Sequence, residues 1–270
     1  MNLVKRLIGL AVAGFVSVAV VSGCGSSSHP ASPGASPGGT SATAAASGKI
    51  TVFAAASLKK AFTDLGDQLK ADNPGADVAF NFGGSADLVT QIINGAPADV
   101  FASADTATMV KATDAGLVSG APVNFATNTL TIVVAPGNPK QIASFADLTK
   151  PGTRVVVCAP QQPCGAAAKK VEDATGTTLA PVSEETTDAD VVNKVISGQA
   201  DAGVVYVTDA AVAGDRVTVV AFPESAQAVN TYPIAVLKNT QNAALAHKFV
   251  DLITGPKGQD ALHKAGFATP

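Results

Sequence analysis

From Lys49 onward the apolar positions follow two alternating periods. Ile50, Val52 and Phe53 open a strand-like stretch, "KITVFAA". Leu58, Ala61, Phe62 and Leu65 then recur at helical spacing, which predicts a helix from Leu58 to Lys70. The exchange repeats. "ADVAFNFG" alternates through Val78, Phe80 and Phe82 and predicts a strand, and "SADLVTQIING" a helix ended by Gly95. "ADVFASA" reads as a short strand and "TATMVKATDAG" as a helix ended by Gly116. The middle of the chain starts again with the strand "TLTIVVAP", Thr129 to Pro136. A short helix, "SFADLTKPG", follows with Ser144 as its N-cap, then the strand "RVVVCAP" and the helix "CGAAAKKVEDATG", closed by Gly176. "ADVVNKVISGQ" predicts a helix, "AGVVYVTDA", "RVTVVAFP" and "TYPIAVLK" predict strands, and residues 242–254 and 256–265 predict two last helices. Strands alternating with helices predict βαβ units around a parallel sheet. The length allows two domains, yet no clean linker follows Gly48. A chain that crosses between two lobes and returns is therefore expected. Extended segments at 126–129 and 230–232 are the candidate crossings, and together they would form a hinge.

The first residues follow another pattern. Lys5 and Arg6 precede an apolar run from Leu7 to Val21, and "VSGC", Val21 to Cys24, has the form of a lipobox. Residues 25–48 are Gly, Ser, Pro and Ala-rich and carry no Lys, Arg, Asp or Glu, a composition that cannot bury enough apolar surface to fold. These features predict a signal peptide over 1–23, a lipid on Cys24 and a flexible tether over 24–48. The globular part would be exported and lipid-anchored on the outer face of the cytoplasmic membrane. Composition adds limits. The chain of 270 residues is 47% hydrophobic and 14% charged, which suits an α/β protein with a sizeable core. A net charge of -3 with no basic stripe argues against a nucleic-acid partner. Cys158 and Cys164 lie close together in "VCAPQQPCG". In an exported chain this favours a disulfide over a metal site, which would want a nearby His.

The candidate chemistry sits in the turns. "FAAAS" carries the chain from strand to helix through small side chains and ends on Ser57. "NFGGS" does the same with Gly83, Gly84 and Ser85, "QPCG" with Pro163, Cys164 and Gly165, and "SEETTD" leads to a fourth helix start near Thr187 and Asp188. A bare helix start offers unpaired N–H groups and a partial positive charge, and a small anion can sit there beside a serine hydroxyl. A serine cap alone would explain each turn singly. Several such turns at the ends of candidate strands point to an anion site, because open α/β sheets bind ligands beyond their strands' carboxyl ends. No G-x-S-x-G, P-loop or dinucleotide fingerprint is present. His29 falls in the tether, and His247 and His263 fall on the last helices.

"KITVFAAASL", "GAPADVFASAD", "GQADAGVVY" and "FPESAQAVNTYPIAVLK" together resemble the molybdate-binding proteins of bacterial ABC importers, from about Lys49 to Phe267. The resemblance implies a class II periplasmic-binding-protein fold, two α/β lobes joined by two crossover strands. Residues 49–126 and 230–270 would build lobe I and residues 127–229 lobe II. It implies a monomeric binding protein rather than an enzyme, with no cofactor, molybdate or tungstate as ligand and an ABC-transporter permease as partner. By motif, the ligand would meet the hydroxyls of Ser57, Ser85 and Tyr206 and the main-chain N–H groups of Cys164 and Asp188, with no direct cation ligands. Two departures stand out. Alanine is frequent at the position of Cys164, and the carboxylate of Asp188 would have to turn away from a dianion. The donor set fits the ligand class: molybdate, tungstate and sulfate are fully ionised near neutral pH and need only donors, whereas phosphate keeps a proton and wants an acceptor. The alternatives are a receptor for another tetrahedral oxyanion such as sulfate, or a secreted serine or cysteine hydrolase.

Overall fold

The computed structural model describes residues 47–270. The predicted signal peptide, Cys24 and the predicted tether up to Ala46 lie outside the described residues. The tether's predicted end does not hold: Gly48 already belongs to the first strand and donates its N–H to Gly75 O at 2.7 Å.

Two five-stranded sheets organise the fold. The first has the order β2-β1-β3-β10-β4, from β1 (Gly48–Ala55), β2 (Ala76–Gly83), β3 (Val100–Ala102), β4 (Val118–Asn128) and β10 (Asn230–Leu237). The second has the order β7-β6-β8-β5-β9, from β5 (Leu130–Val134), β6 (Val155–Cys158), β7 (Ser183–Glu185), β8 (Ala202–Tyr206) and β9 (Thr218–Val220). The helices are α1 (Lys59–Asp72), α2 (Ser85–Ile93), α3 (Thr106–Asp114), α4 (Pro163–Thr175), α5 (Asp188–Ile196), α6 (Val207–Ala213), α7 (Ala243–Thr254) and α8 (Pro256–Lys264). The result is two α/β lobes joined by two crossovers. The chain leaves the first sheet at Asn128 and returns to it at Asn230, and these two residues face each other in the β4–β10 ladder.

The sheets are mixed, not parallel as the alternation of strands and helices predicts. β1 pairs in parallel with β2 and β3, but β10 runs antiparallel to β3 and β4, and β5 antiparallel to β8 and β9. The antiparallel strands flank the crossovers, where the chain changes lobes without a helical return. β4 has no counterpart in the apolar pattern. Its sequence, "VSGAPVNFATN", contains Gly120 and Pro122 and lies at a sheet edge, where proline is tolerated and alternation is not enforced. The predicted strand "AGVVYVTDA" stops at Tyr206, and Val207 begins α6 instead.

Period-2 alternation sorts the core of the first lobe. Ile50, Val52 and Ala54 face one side, with Phe62 of α1 and Phe249 of α7, while Phe53 faces Leu88, Ile92 and Met109 of α2 and α3. Phe62 is fully buried, with ring centroids 5.8 Å from Phe125 and 5.6 Å from Phe249. In the second lobe Gly203 sets how closely α5 lies on β8: a Cβ there would stand 2.6 Å from Val191 Cγ1. That approach brings the start of α5 to the end of β8. Phe62→Ala should destabilise the first lobe by about 3–5 kcal/mol, because an aromatic cluster cannot collapse around the void. Urea denaturation followed by circular dichroism reads the loss, and a midpoint equal to that of the unsubstituted protein would contradict this packing.

Candidate functional site

Strand ends and helix starts from both lobes converge on one small cavity. β1 ends at Ala55 and enters α1 through a 3-10 turn, Ala56–Leu58. β2 ends at Gly83, and Gly84 precedes Ser85 at the first position of α2. From the second lobe come Gln162, Pro163 and Cys164 at the start of α4, Thr186 to Asp188 at the start of α5, and Tyr206 at the end of β8. The cavity is narrow, with a volume of about 10 Å3, and all five residues proposed from sequence, Ser57, Ser85, Cys164, Asp188 and Tyr206, line it. Among the described residues no Lys, Arg or His does. The first turns of the helices direct N–H groups without intrahelical acceptors toward the same space, and their dipoles make it positive without a formal charge. A wider groove of about 480 Å3 runs between α1 and α8, but Lys60, Lys257, Asp64 and Asp260 line it with both signs of charge.

The three hydroxyls are held so that each can donate. Ser57 caps no helix; its Oγ lies 3.1 Å from the hydroxyl of Tyr232. That phenol accepts from Asn128 Nδ2 at 3.3 Å, so it can donate to Ser57 and leave the serine proton for a third group. Ser85 is buried, and its Oγ accepts the N–H of Ala104 at 3.1 Å. Tyr206 is fully buried, and its hydroxyl accepts from Asn230 Nδ2 at 2.5 Å. No described residue takes the proton of Ser85 or of Tyr206. Burial, reinforced by Tyr232 in the case of Tyr206 and by Asp188 in the case of Tyr232, pushes both phenols well above their ordinary range, so both stay protonated.

Two features concern the predicted departures. Cys158 and Cys164 form a disulfide that closes the loop of residues 159–163. Their sulfurs and a carboxylate oxygen of Asp188 lie within 4.8 Å of one another, but joined sulfurs offer no thiolate to a metal. The carboxylate of Asp188 is directed to the backbone of β8, where Oδ1 accepts the N–H of Tyr206 at 3.3 Å. Burial, reinforced by the nearby charge of Asp209, drives the Asp188 carboxyl well above the usual range, and burial pushes Asp209 up to about 7.

Sequence reasoning missed Gln162, Asn128, Asn230, Tyr232 and Asp209. The two asparagines stand in the proposed crossings and Tyr232 two residues beyond Asn230, but an amide in an extended segment carries no signal until its partner in the fold is known. Gln162 belongs to the loop singled out for its cysteines and its proline.

Fold and site define a two-lobed binding protein whose cavity suits a small anion. The sequence profile described as bacterial extracellular solute-binding protein matches residues 50–268. The chain is 56% identical over 268 residues to the molybdate-binding protein ModA of Mycobacterium tuberculosis H37Rv, covering 98% of this chain and 100% of the relative. The chain belongs to this bacterial extracellular solute-binding family, a family of binding proteins and not of enzymes. Among solved structures it resembles the substrate-binding domain assigned to a molybdenum ABC transporter of Clostridium difficile, with a TM-score of 0.61 and 26% identity over 82% of this chain and 99% of that one. The sulfate-binding protein SubI of Mycobacterium tuberculosis shares the fold, with a TM-score of 0.71 and 20% identity over 82% of this chain and 86% of that one. The hydrolase alternative also fails on geometry: Ser57 meets a tyrosine, and His247 and His263 lie on α7 and α8.

The buried acids predict a pH dependence of stability. Asp209 titrates near 3.8 when unfolded and near 7 when folded, so between about pH 4 and pH 7 the folded state holds a proton that the unfolded chain has released. Stability then falls as pH rises through that window. Below it the trend reverses, because carboxyls held low by cations, such as Asp201 by its hydrogen bond from Arg154, become protonated. The thermal midpoint should be higher at pH 5 than at pH 7.5, and Asp209→Asn should flatten the difference. A midpoint that rises from pH 5 to pH 7.5 would contradict this.

Proposed function

We propose that this protein captures molybdate, and its near-isostere tungstate, between its two lobes and delivers it to an ABC-type membrane permease. One observation carries the reading: the cavity presents hydroxyl and helix-start N–H donors with no cation among the described lining residues, and no described residue takes the hydroxyl protons of Ser85 and Tyr206. Such preorganised dipoles hold a dianion much as an oxyanion hole does. They also avoid a permanent ion pair, which eases release. The ModA relative, at 56% identity over the whole chain, is itself a molybdate-binding protein.

In this reading Ser57, Ser85 and Tyr206 donate through their hydroxyls, and Cys164 and Asp188 through their main-chain N–H groups. Asn128 and Asn230 occupy the unused acceptor positions of Tyr232 and Tyr206 and so fix the direction of donation. Residues 49–126 with 230–270, and residues 127–229, act as two bodies that hinge at the crossovers and close over the ligand. The protein works as an extracytoplasmic monomer, held to the membrane by a lipid on Cys24 with the Gly, Ser and Pro-rich segment as its leash.

Calorimetric titration of refolded, ligand-stripped protein with molybdate, tungstate, sulfate and phosphate tests this. One-to-one binding of molybdate and tungstate far tighter than sulfate, and no heat with phosphate, is expected. Sulfate binding as tightly as molybdate would make the protein a general tetrahedral-oxyanion receptor, and no binding of any of the four by folded protein would overturn the reading. Ser57→Ala, Ser85→Ala and Tyr206→Phe should each weaken molybdate binding by about 1.5–3 kcal/mol, the scale of a hydrogen bond to a charged group. Unchanged affinity in all three would remove the site assignment while leaving the ligand class standing.

A further inference from the structure

The oxyanion-facing donors do not account for the contacts that cross the cleft. Gln162 comes from the second lobe and is fully buried. Its Oε1 accepts the N–H of Ala86, in the first turn of α2 in the first lobe, at 3.1 Å. Its Nε2 donates to Asp87 Oδ2, one residue on, at 2.9 Å. The amide orientation follows from chemistry: a backbone N–H can only donate, so the oxygen faces Ala86 and the amino group faces Asp87. Both polar groups of Gln162 are thus committed to the opposite lobe, although the side chain forms part of the cavity wall.

Gly84 supplies the space for this contact. Its backbone, φ -63° and ψ 131°, is one that any residue adopts. A Cβ there would nevertheless stand 2.4 Å from the carbonyl oxygen of Thr186 and 2.5 Å from Gln162 Oε1, both in the second lobe. The limit at this position is therefore set across the cleft rather than by local conformation. The loop that carries Gln162 is closed by the Cys158–Cys164 disulfide, so its reach toward Ala86 and Asp87 is fixed from both ends.

We propose that Gln162 is a closing latch: a positioning residue that sets the strength of anion capture by joining the lobes, without contacting the anion. Apparent affinity equals intrinsic affinity scaled by the fraction of molecules in the binding-competent closed state. A latch shifts that fraction and nothing else. Its removal therefore weakens every bound oxyanion by the same factor, whereas loss of a ligand contact changes the preference among them.

The inference rests on the oxyanion reading, and the test separates the two. Calorimetry on the mature chain would compare molybdate and tungstate binding in the unsubstituted protein, Gln162→Ala and Asp87→Ala. Small-angle scattering without ligand would report the open fraction. Asp87 is exposed, so its replacement disrupts the same contact without threatening folding. The latch predicts that both variants lose affinity roughly ten-fold or more, by one common factor for the two ligands. The double variant should be little worse than either single one, and both should scatter as more extended molecules. Gly84→Ala should also favour the extended form. Unchanged affinity and scattering in Gln162→Ala and Asp87→Ala would overturn the latch and leave the oxyanion reading intact. A changed molybdate-to-tungstate preference would make Gln162 a ligand contact instead and would also overturn it. If the unsubstituted protein binds neither oxyanion, the functional reading fails, and the ligand-free scattering still decides whether Gln162 holds the lobes together.

Discussion

A dianion removed from water needs either a countercharge or many well-aimed dipoles, and the proposed capture depends on dipoles that two lobes bring to one cavity. That requirement orders much of the molecule. The parallel strands of each sheet, β1 and β2 in the first and β6 and β8 in the second, end toward the cleft. The turns that follow are small: Ala55, Ala56, Gly83 and Gly84 line the cavity, and a Cβ at Gly84 would meet Thr186 and Gln162 of the second lobe. The crossovers have to lie beside the cavity, and Asn128 and Asn230 stand in register there.

The hydroxyls add direction to this field. A hydroxyl donates and accepts, so an anion site built from serine and tyrosine works only if the acceptor side of each is occupied. Here Asn230 meets Tyr206, Asn128 meets Tyr232, and the N–H of Ala104 meets Ser85. The buried acids fit the same logic. Asp188 turns its carboxyl toward the N–H of Tyr206, and burial favours the neutral form of both Asp188 and Asp209. A helix start can thus carry an aspartate beside an anion cavity without placing a full negative charge in it.

Much of this was legible in the sequence, for identifiable reasons. The alternation of Ile50, Val52 and Phe53 with Leu58, Phe62 and Leu65 is enforced by burial on both sides of a sheet, and it located β1 and α1 closely. The small-residue turns pointed to Ser57, Ser85, Cys164 and Asp188, and the fold brings these four to the wall of one cavity. β4 was not legible: an edge strand with Gly120 and Pro122 has no alternation to read. The mixed pairing was hidden too, since strand direction depends on where the chain crosses lobes and not on local period. Gln162 and the two asparagines were invisible for another reason. Their partners, Ala86 and Asp87 or Tyr206 and Tyr232, are distant in sequence, and only the fold brings them together.

The most direct measurement of the central claim is anomalous diffraction from crystals of the protein grown with tungstate, whose heavy atom marks its own position. One tungsten site should appear between the lobes, its oxygens within hydrogen-bond reach of the hydroxyls of Ser57, Ser85 and Tyr206 and the main-chain N–H groups of Cys164 and Asp188, with no Lys or Arg in contact. A fully occupied site elsewhere, such as beside the lysines of the groove between α1 and α8, with the interlobe cavity bare, would contradict capture by neutral donors.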